Sequence, residues 1–382
     1  MKHKTIEIFL FIDALGWKIV NEHNFMTELL PYRKKIDMQF GYSSSAVPTI
    51  LSGKTPADHG HLGLFRFAPE SSPFKRLSRL AWFFKPSGFW NRGRVRHHLS
   101  GILKKIYGFT GYFQLYRMPI WKLKFMDYCE KRDLFTANGM ADIPNLYDVL
   151  SAREVNFYIS DWHLSDSENY TAAEKAIENG KNFLFIYTAS LDGVLHDKIK
   201  DFSAIQHKLD EIKIQIEHLY SYAGNFAEKV HFTVISDHGM TPLAATADVM
   251  SKIAQSGLKF GIDYGACYDS TMARFYYLSD SSRSVIEKIM QEFPGHFLSE
   301  AEERKYGIFR EDRIFGDGIF LLDDGIQIVP SDMGEKALNG MHGFAPENEH
   351  SCAAILSNTV LPENVKQVAD YFNLMTERSE KL

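Results

Sequence analysis

Short apolar runs alternate with longer stretches in which apolar residues recur every three or four positions, and the alternation persists along most of the chain. The runs predict buried strands over residues 6–12, 35–40, 155–159, 183–188, 231–235 and 273–278. The periodic stretches predict helices over residues 145–152, 172–179, 202–223, 246–255 and 283–293. Strands and helices interleaved in this way define an α/β fold around a mostly parallel central sheet. Residues 258–260 and 315–325 alternate and turn like strands of a smaller subdomain, and residues 361–374 read as a closing amphipathic helix.

The residues just past the strand ends carry the chemistry. Asp13 closes the first run, Asp192 comes after the run over 183–188, and Asp237-His238-Gly239 comes after the run over 231–235. In open α/β sheets the ligand site lies beyond the carboxyl ends of the strands, so these side chains converge on one rim. Between the first two runs stands Gly41-Tyr42-Ser43-Ser44-Ser45, leading into a short helix that Gly53 can stop. A helix N-terminus favours an anion, and a serine at that turn is placed to attack a phosphate held there.

Asp192 and His196 are four residues apart and share one face of a helical turn. Met341-His342-Gly343-Phe344 adds a late histidine. Three aspartates (Asp13, Asp192, Asp237) and three histidines (His196, His238, His342) make two three-ligand sites with open positions. That suits a pair of divalent metals about 4 Å apart that clamps the attacking and leaving oxygens of a phosphate. The mixed nitrogen and oxygen donors point to zinc first and manganese second.

Composition bounds the setting. The chain has 382 residues, 45% of them apolar, a formal charge of −5 and three cysteines. Basic residues before the first apolar run suggest an export signal, but Glu7 interrupts the run and no small-residue cleavage site follows Asp13, so a buried strand is expected. No apolar span reaches 18 residues, and three widely spaced cysteines fit a reducing compartment, so the cytoplasm is the expected location. The acids Asp317, Asp323 and Asp324 read as turn residues.

Charge is segregated. Residues 65–135 hold 15 Lys or Arg and 4 Asp or Glu, interleaved with aromatics as in Leu80-Ala81-Trp82-Phe83-Phe84-Lys85 and Trp121-Lys122-Leu123-Lys124-Phe125. They are expected to form an inserted helical cap over the rim, with residues 1–64 and 136–382 forming the catalytic domain. The composition fits a packed cap with its own aromatic core, and also a surface for anionic lipid or a lipid- or sugar-linked phosphate, which would place the protein at the inner face of a membrane. Nucleic acid is disfavoured, because no RNA-binding signature accompanies the basic residues.

Taken together, Asp13, Ser43, Asp192-x-x-x-His196, Asp237-His238-Gly239 and His342-Gly343-Phe344 resemble the alkaline phosphatase superfamily, and within it the type I phosphodiesterase/nucleotide pyrophosphatase branch. The resemblance implies an alkaline-phosphatase-like α/β sandwich. It implies one zinc held by Asp192, His196 and His342 and another by Asp13, Asp237 and His238. It also implies a nucleophile ten residues before the helix-ending glycine, which is Ser43, with Ser44 as second choice and as a contact for the substrate phosphate. A phosphodiester or pyrophosphate would then be cleaved through a seryl intermediate; a phosphomonoesterase, a phosphoryl transferase and a non-catalytic phospholigand-binding protein are the alternatives. His59, in Pro56-Ala57-Asp58-His59-Gly60, matches a turn whose histidine is structural. Many members of the branch carry a phosphate-binding asparagine where this chain has Leu64, and Arg66 is expected to take over that contact. A sulfatase is disfavoured by Ser45 and Val47 at positions where that relative requires proline and arginine.

Overall fold

The computed structural model describes residues 2–77 and 92–382; the Leu80-to-Lys85 stretch of the cap lies outside the described residues. Six strands form the central sheet, in the order Tyr32–Ile36, Ala353–Ser357, Ala227–Ile235, His3–Ile12, Phe183–Thr188 and Phe157–Ile159. Only Ala353–Ser357 runs against its neighbours, so the sheet is mixed and mostly parallel. Its central strands are buried on both faces, which is why they read as continuous apolar runs. Ile6, Ile8, Leu10 and Ile12 face one layer, built with the helices Asp166–Glu178 and Phe202–Gly224. Phe9 and Phe11 face the other, built with the helices Ser43–Ser52, Leu146–Ala152 and Asp370–Ser379. Each fully buried side chain of this size contributes roughly 1.5–3 kcal/mol.

Register aligns the functional strand ends. Ile12 pairs with Thr188 and Phe11 with Ile235, so Asp13, the chain after Thr188, and Ser236-Asp237 leave the sheet on one rim. The helix Phe202–Gly224 falls almost where its periodicity puts it. Other boundaries move for local reasons. The second strand is Tyr32–Ile36, earlier than residues 35–40, because its pairing with Ala353–Ser357 ends at Ile36. The helix expected from residue 246 begins at Val249, where Asp248 accepts from Ser251 N–H; Thr246 belongs to the strand Ala245–Ala247 instead. The closing helix is Asp370–Ser379, well past residue 361.

Residues 273–278 do not join the central sheet. Met272–Tyr277 is the second strand of an antiparallel four-stranded sheet, with Tyr264–Tyr268, Gly318–Leu322 and Gly295–Phe297. The basic–aromatic segment enters on Phe65–Phe67 and leaves on Met126–Tyr128, and the two pair antiparallel. Between them lies the helix Gly93–Tyr107. Phe74, Leu103, Phe109, Phe113, Leu115 and Tyr128 form a core of its own, which reaches Cys267 and Tyr276 of the second sheet. His97 and His98 are not buried. No described helix is long and apolar enough to cross a membrane.

Candidate active site

The site is built on the helix Ser43–Ser52. Tyr42 caps it in an extended conformation, and Gly53 ends it at φ 68°, a left-handed geometry that costs glycine little. The three serines are not equivalent. Ser45 Oγ is spent on the Phe40 and Tyr42 carbonyls, and Ser44 Oγ donates to Leu62 O at 3.4 Å. Ser43 Oγ instead lies 3.1 Å from His238 Nε2. The amide N–H groups of Ser43 and Ser44 make no hydrogen bond among the described residues, as the first turn of a helix leaves them.

Six of the candidate residues border a cavity of about 680 Å³: Ser43, Ser44, Asp13, Asp192, His196 and His342. Asp237 and His238 lie fully buried behind its wall. Two groups of ligand atoms cluster within 4.8 Å of one another, Asp192 with His196 and His342, and Asp13 with Asp192 and His238. Asp192 therefore belongs to both. Asp237 touches the second group through Oδ2, 3.1 Å from His238 Nε2, while its Oδ1 accepts from the N–H groups of Ala14 and His238.

The histidines are held from behind. His196 Nδ1 is 2.9 Å from Gly340 O, and His238 Nδ1 is 2.9 Å from Gly239 O, which leaves each Nε2 facing the carboxylates. A backbone carbonyl on one ring nitrogen fixes which nitrogen is presented to a ligand. The His238 and His342 rings stack with centroids 3.8 Å apart. At Gly239 a side chain would meet His350 O at 2.1 Å, so only glycine lets the chain turn there.

Electrostatics record the crowding. Burial, then the charges of Asp237 and Asp192, raise the Asp13 pKa well above the carboxylate range. Burial works to lower His238, but Asp237, Asp13 and Asp192 prevail and push it up to about 10. Burial opposes ionisation of Asp192 as well, yet the hydrogen bond to His196 and the charge of His342 hold it below the usual range. His342 is pushed well down by burial and by His238. Asp13 Oδ1, Asp192 Oδ1, Asp237 Oδ2 and His342 Nδ1 are buried without a hydrogen-bond partner. Buried polar atoms without partners are costly, and convergent carboxylates with imidazoles fit divalent cations.

Arg66, expected at the substrate phosphate, does not border the cavity. It stands opposite Asp127 across the Phe65–Phe67 and Met126–Tyr128 pair, and its Nη2 is 2.8 Å from Asp127 Oδ2. The cross-strand ion pair engages the guanidinium with Asp127. Leu64 does border the cavity and supplies an apolar wall. His59 bridges Thr49 Oγ1 and the His61 amide, a packing role within the turn.

Sequence reasoning missed Tyr187, which borders the cavity and donates to Asp13 Oδ2 at 2.7 Å. It lies inside the strand predicted over 183–188, and only the Phe11–Tyr187 register brings it to Asp13. It also missed Tyr42, whose hydroxyl is 2.8 Å from Thr271 Oγ1 and whose ring meets His342 edge-on.

The fold has solved counterparts. It is similar to murine ectonucleotide pyrophosphatase / phosphodiesterase 5, with TM-score 0.66 and 13% identity over 98% of this chain and 95% of that one. An inactive form of the murine protein in complex with AMP gives 0.65 and 14%, with the same coverage, and the human protein 0.64 and 13%, again over 98% and 95%. No sequence match to a curated protein was found. The sequence matches the type I phosphodiesterase / nucleotide pyrophosphatase family over residues 8–345, and the chain belongs to that family of metal-dependent hydrolases.

Proposed function

We propose that the protein cleaves a phosphodiester or pyrophosphate bond in two steps through Ser43, at a site holding two divalent cations. The observation that carries this reading is the Ser43 hydroxyl at a helix N-terminus, 3.1 Å from a buried histidine of one ligand group, with Asp192 shared between that group and the other. Asp192, His196 and His342 would hold one cation, and Asp13, Asp237 and His238 the other, with Asp192 within reach of both and zinc favoured over manganese by the donor set. Bound there, the cations supply Lewis acidity, lowering the pKa of the Ser43 hydroxyl and neutralising charge on the phosphoryl oxygens.

The chain's own groups do the rest. The free N–H groups of Ser43 and Ser44, with the helix dipole, receive a nonbridging oxygen. Ser43 Oγ releases its proton to solvent and forms a bond to phosphorus as the bond to the leaving oxygen breaks, and the departing alcohol or phosphate takes up a proton from solvent. Water then attacks the phosphoserine ester, restoring the hydroxyl and releasing the second product. Tyr187 keeps Asp13 oriented through its hydrogen bond.

A diester is favoured over a monoester because the cavity is far larger than one phosphate and is walled by Leu64, Leu134, Phe135 and Trp162. Such walls suit the organic arms of an ester, and a nucleotide, as in the AMP complex of the murine relative, is of the size admitted. The test is hydrolysis of bis-p-nitrophenyl phosphate against p-nitrophenyl phosphate by zinc- or manganese-loaded protein. Faster diester cleavage, lost in Ser43→Ala, is expected. Faster monoester cleavage would make the protein a phosphatase, and two bound metals without turnover of either ester would leave a transferase or a phosphoryl-binding protein.

A further inference from the structure

Glu130 is a buried carboxyl group to which the two-step hydrolysis gives no task. It lies just past the strand Met126–Tyr128 on the way out of the basic–aromatic segment, is only 8% exposed, and borders the cavity. Its side chain makes no hydrogen bond or ion pair among the described residues. Basic side chains of the same segment are engaged elsewhere: Lys131 Nζ is 2.6 Å from Asp127, Arg66 pairs with the same carboxylate, and Arg117 is 3.5 Å from Glu335.

The backbone around it is fixed. Thr110 N–H donates to Lys131 O at 2.9 Å, and Gly111 approaches so closely that a side chain there would meet Glu130 O at 2.6 Å. Glu130 shares the cavity wall with Tyr112 and Tyr116, whose hydroxyls are 2.5 Å apart, and its charge acts on both phenols. Trp162 meets the Tyr112 ring at 5.8 Å and extends the wall. Glu130 and Asp192 both act on the Tyr116 hydroxyl, which ties this corner to the phosphate end of the cavity.

A buried carboxyl and two phenol oxygens on one cavity wall offer several acceptors and aromatic surroundings, with no cation paired to the carboxyl among the described residues. Such a corner suits a group that donates several hydrogen bonds and carries positive charge. We propose that Glu130, with Tyr112 and Tyr116, forms a subsite for a primary ammonium group on the organic arm of the substrate, so that aminoalkyl phosphodiesters are preferred over neutral ones. Burial, reinforced by Asp133, lifts the Glu130 pKa to about 8. The inference rests on the phosphodiesterase reading for turnover but not for binding.

The experiment compares p-nitrophenyl 2-aminoethyl phosphate with its neutral isostere, p-nitrophenyl propyl phosphate, at pH 8. Wild-type protein is expected to favour the amino ester by about tenfold or more in kcat/KM, a figure typical of a charge-assisted hydrogen bond. Glu130→Gln should bring the ratio to about 1, and Glu130→Asp should keep a preference. A wild-type ratio near 1, or an undiminished ratio in Glu130→Gln, would overturn the subsite. If neither ester nor bis-p-nitrophenyl phosphate is cleaved, the hydrolytic reading fails. Calorimetry with O-phosphorylethanolamine against propyl phosphate then decides the subsite alone: tighter binding of the amine, lost in Glu130→Gln, supports it, and equal binding refutes it.

Discussion

Ser43 Oγ and His238 Nε2 stand 3.1 Å apart although 195 positions separate them in the chain. The contact arises from pairing of the first strand with Ala227–Ile235, which delivers Asp237-His238 to the rim where the Ser43–Ser52 helix begins. Ser44 is buried beside it and points to the Leu62 carbonyl. Ser43→Ala should therefore lower kcat toward bis-p-nitrophenyl phosphate by about 10³-fold or more, while Ser44→Ala, which loses one long hydrogen bond, should lower it less than about tenfold. Steady-state rates of the two variants decide it. Equal losses would mean that Ser43 is not the nucleophile.

Asp192 lies in both ligand groups, whereas His196 lies in one. Asp192→Asn should release both metals and His196→Ala only one. Elemental analysis after gel filtration should then read about two metals per chain in the wild type, about one in His196→Ala and fewer in Asp192→Asn. Identical stoichiometry in the two variants would contradict a shared Asp192. Chelation of the wild type should lower its melting temperature, because the buried carboxylates lose their counter-charge.

In the proposed metal site, Tyr187 would act through Asp13. Removing its hydroxyl in Tyr187→Phe leaves Asp13 Oδ2 without its 2.7 Å donor. Loss of such an outer partner costs roughly 10–100-fold in metal affinity or activity. The expected signature is a higher metal concentration for half-maximal activity, with kcat recovered at saturating metal. A kcat loss that metal does not restore would place Tyr187 on the substrate instead.

Arg66 pairs with Asp127, whose side chain is almost fully buried and is also held by Lys131. Arg66→Ala should reduce stability to urea by about 1–3 kcal/mol, since it removes one partner of a buried carboxylate, and should leave KM for the diester unchanged. A raised KM with unchanged stability would restore the phosphate-binding role expected from sequence.

The aspartates and histidines were legible because most of them stand just past an apolar run, and strand ends of an α/β sheet share a rim. The serine turn was legible because Gly53 marks the helix end from which Ser43 is counted. Pairing is the property that the residues alone could not show. Tyr187 looks like any other strand residue until its register with Phe11 is known. Arg66 looked available because nothing in the sequence links it to Asp127, 61 positions away. Residues 273–278 have the composition of a central strand but belong to the second sheet, since burial alone does not say which sheet buries them. The sharing of Asp192 between two ligand groups is likewise a property of three dimensions.

Glu130 makes stability depend on pH in an unusual direction. Its folded pKa of about 8 lies above the ordinary 4.5, so between those values the folded protein binds more protons at this site than the unfolded chain. Stability from this group is then fully present below about pH 4.5 and is lost as pH rises through 8. Glu130→Gln keeps the shape and removes the ionisation. The urea midpoints of variant and wild type should lie close together at pH 5 and separate as pH rises to 9, with the variant the more stable by a few kcal/mol. A tenfold change in proton affinity is worth about 1.4 kcal/mol, and the opening of the cavity to solvent keeps the gain below the full difference. A variant whose midpoint parallels the wild type at every pH would mean that Glu130 is ionised and partnered in the folded protein, and the ammonium subsite would lose its physical basis.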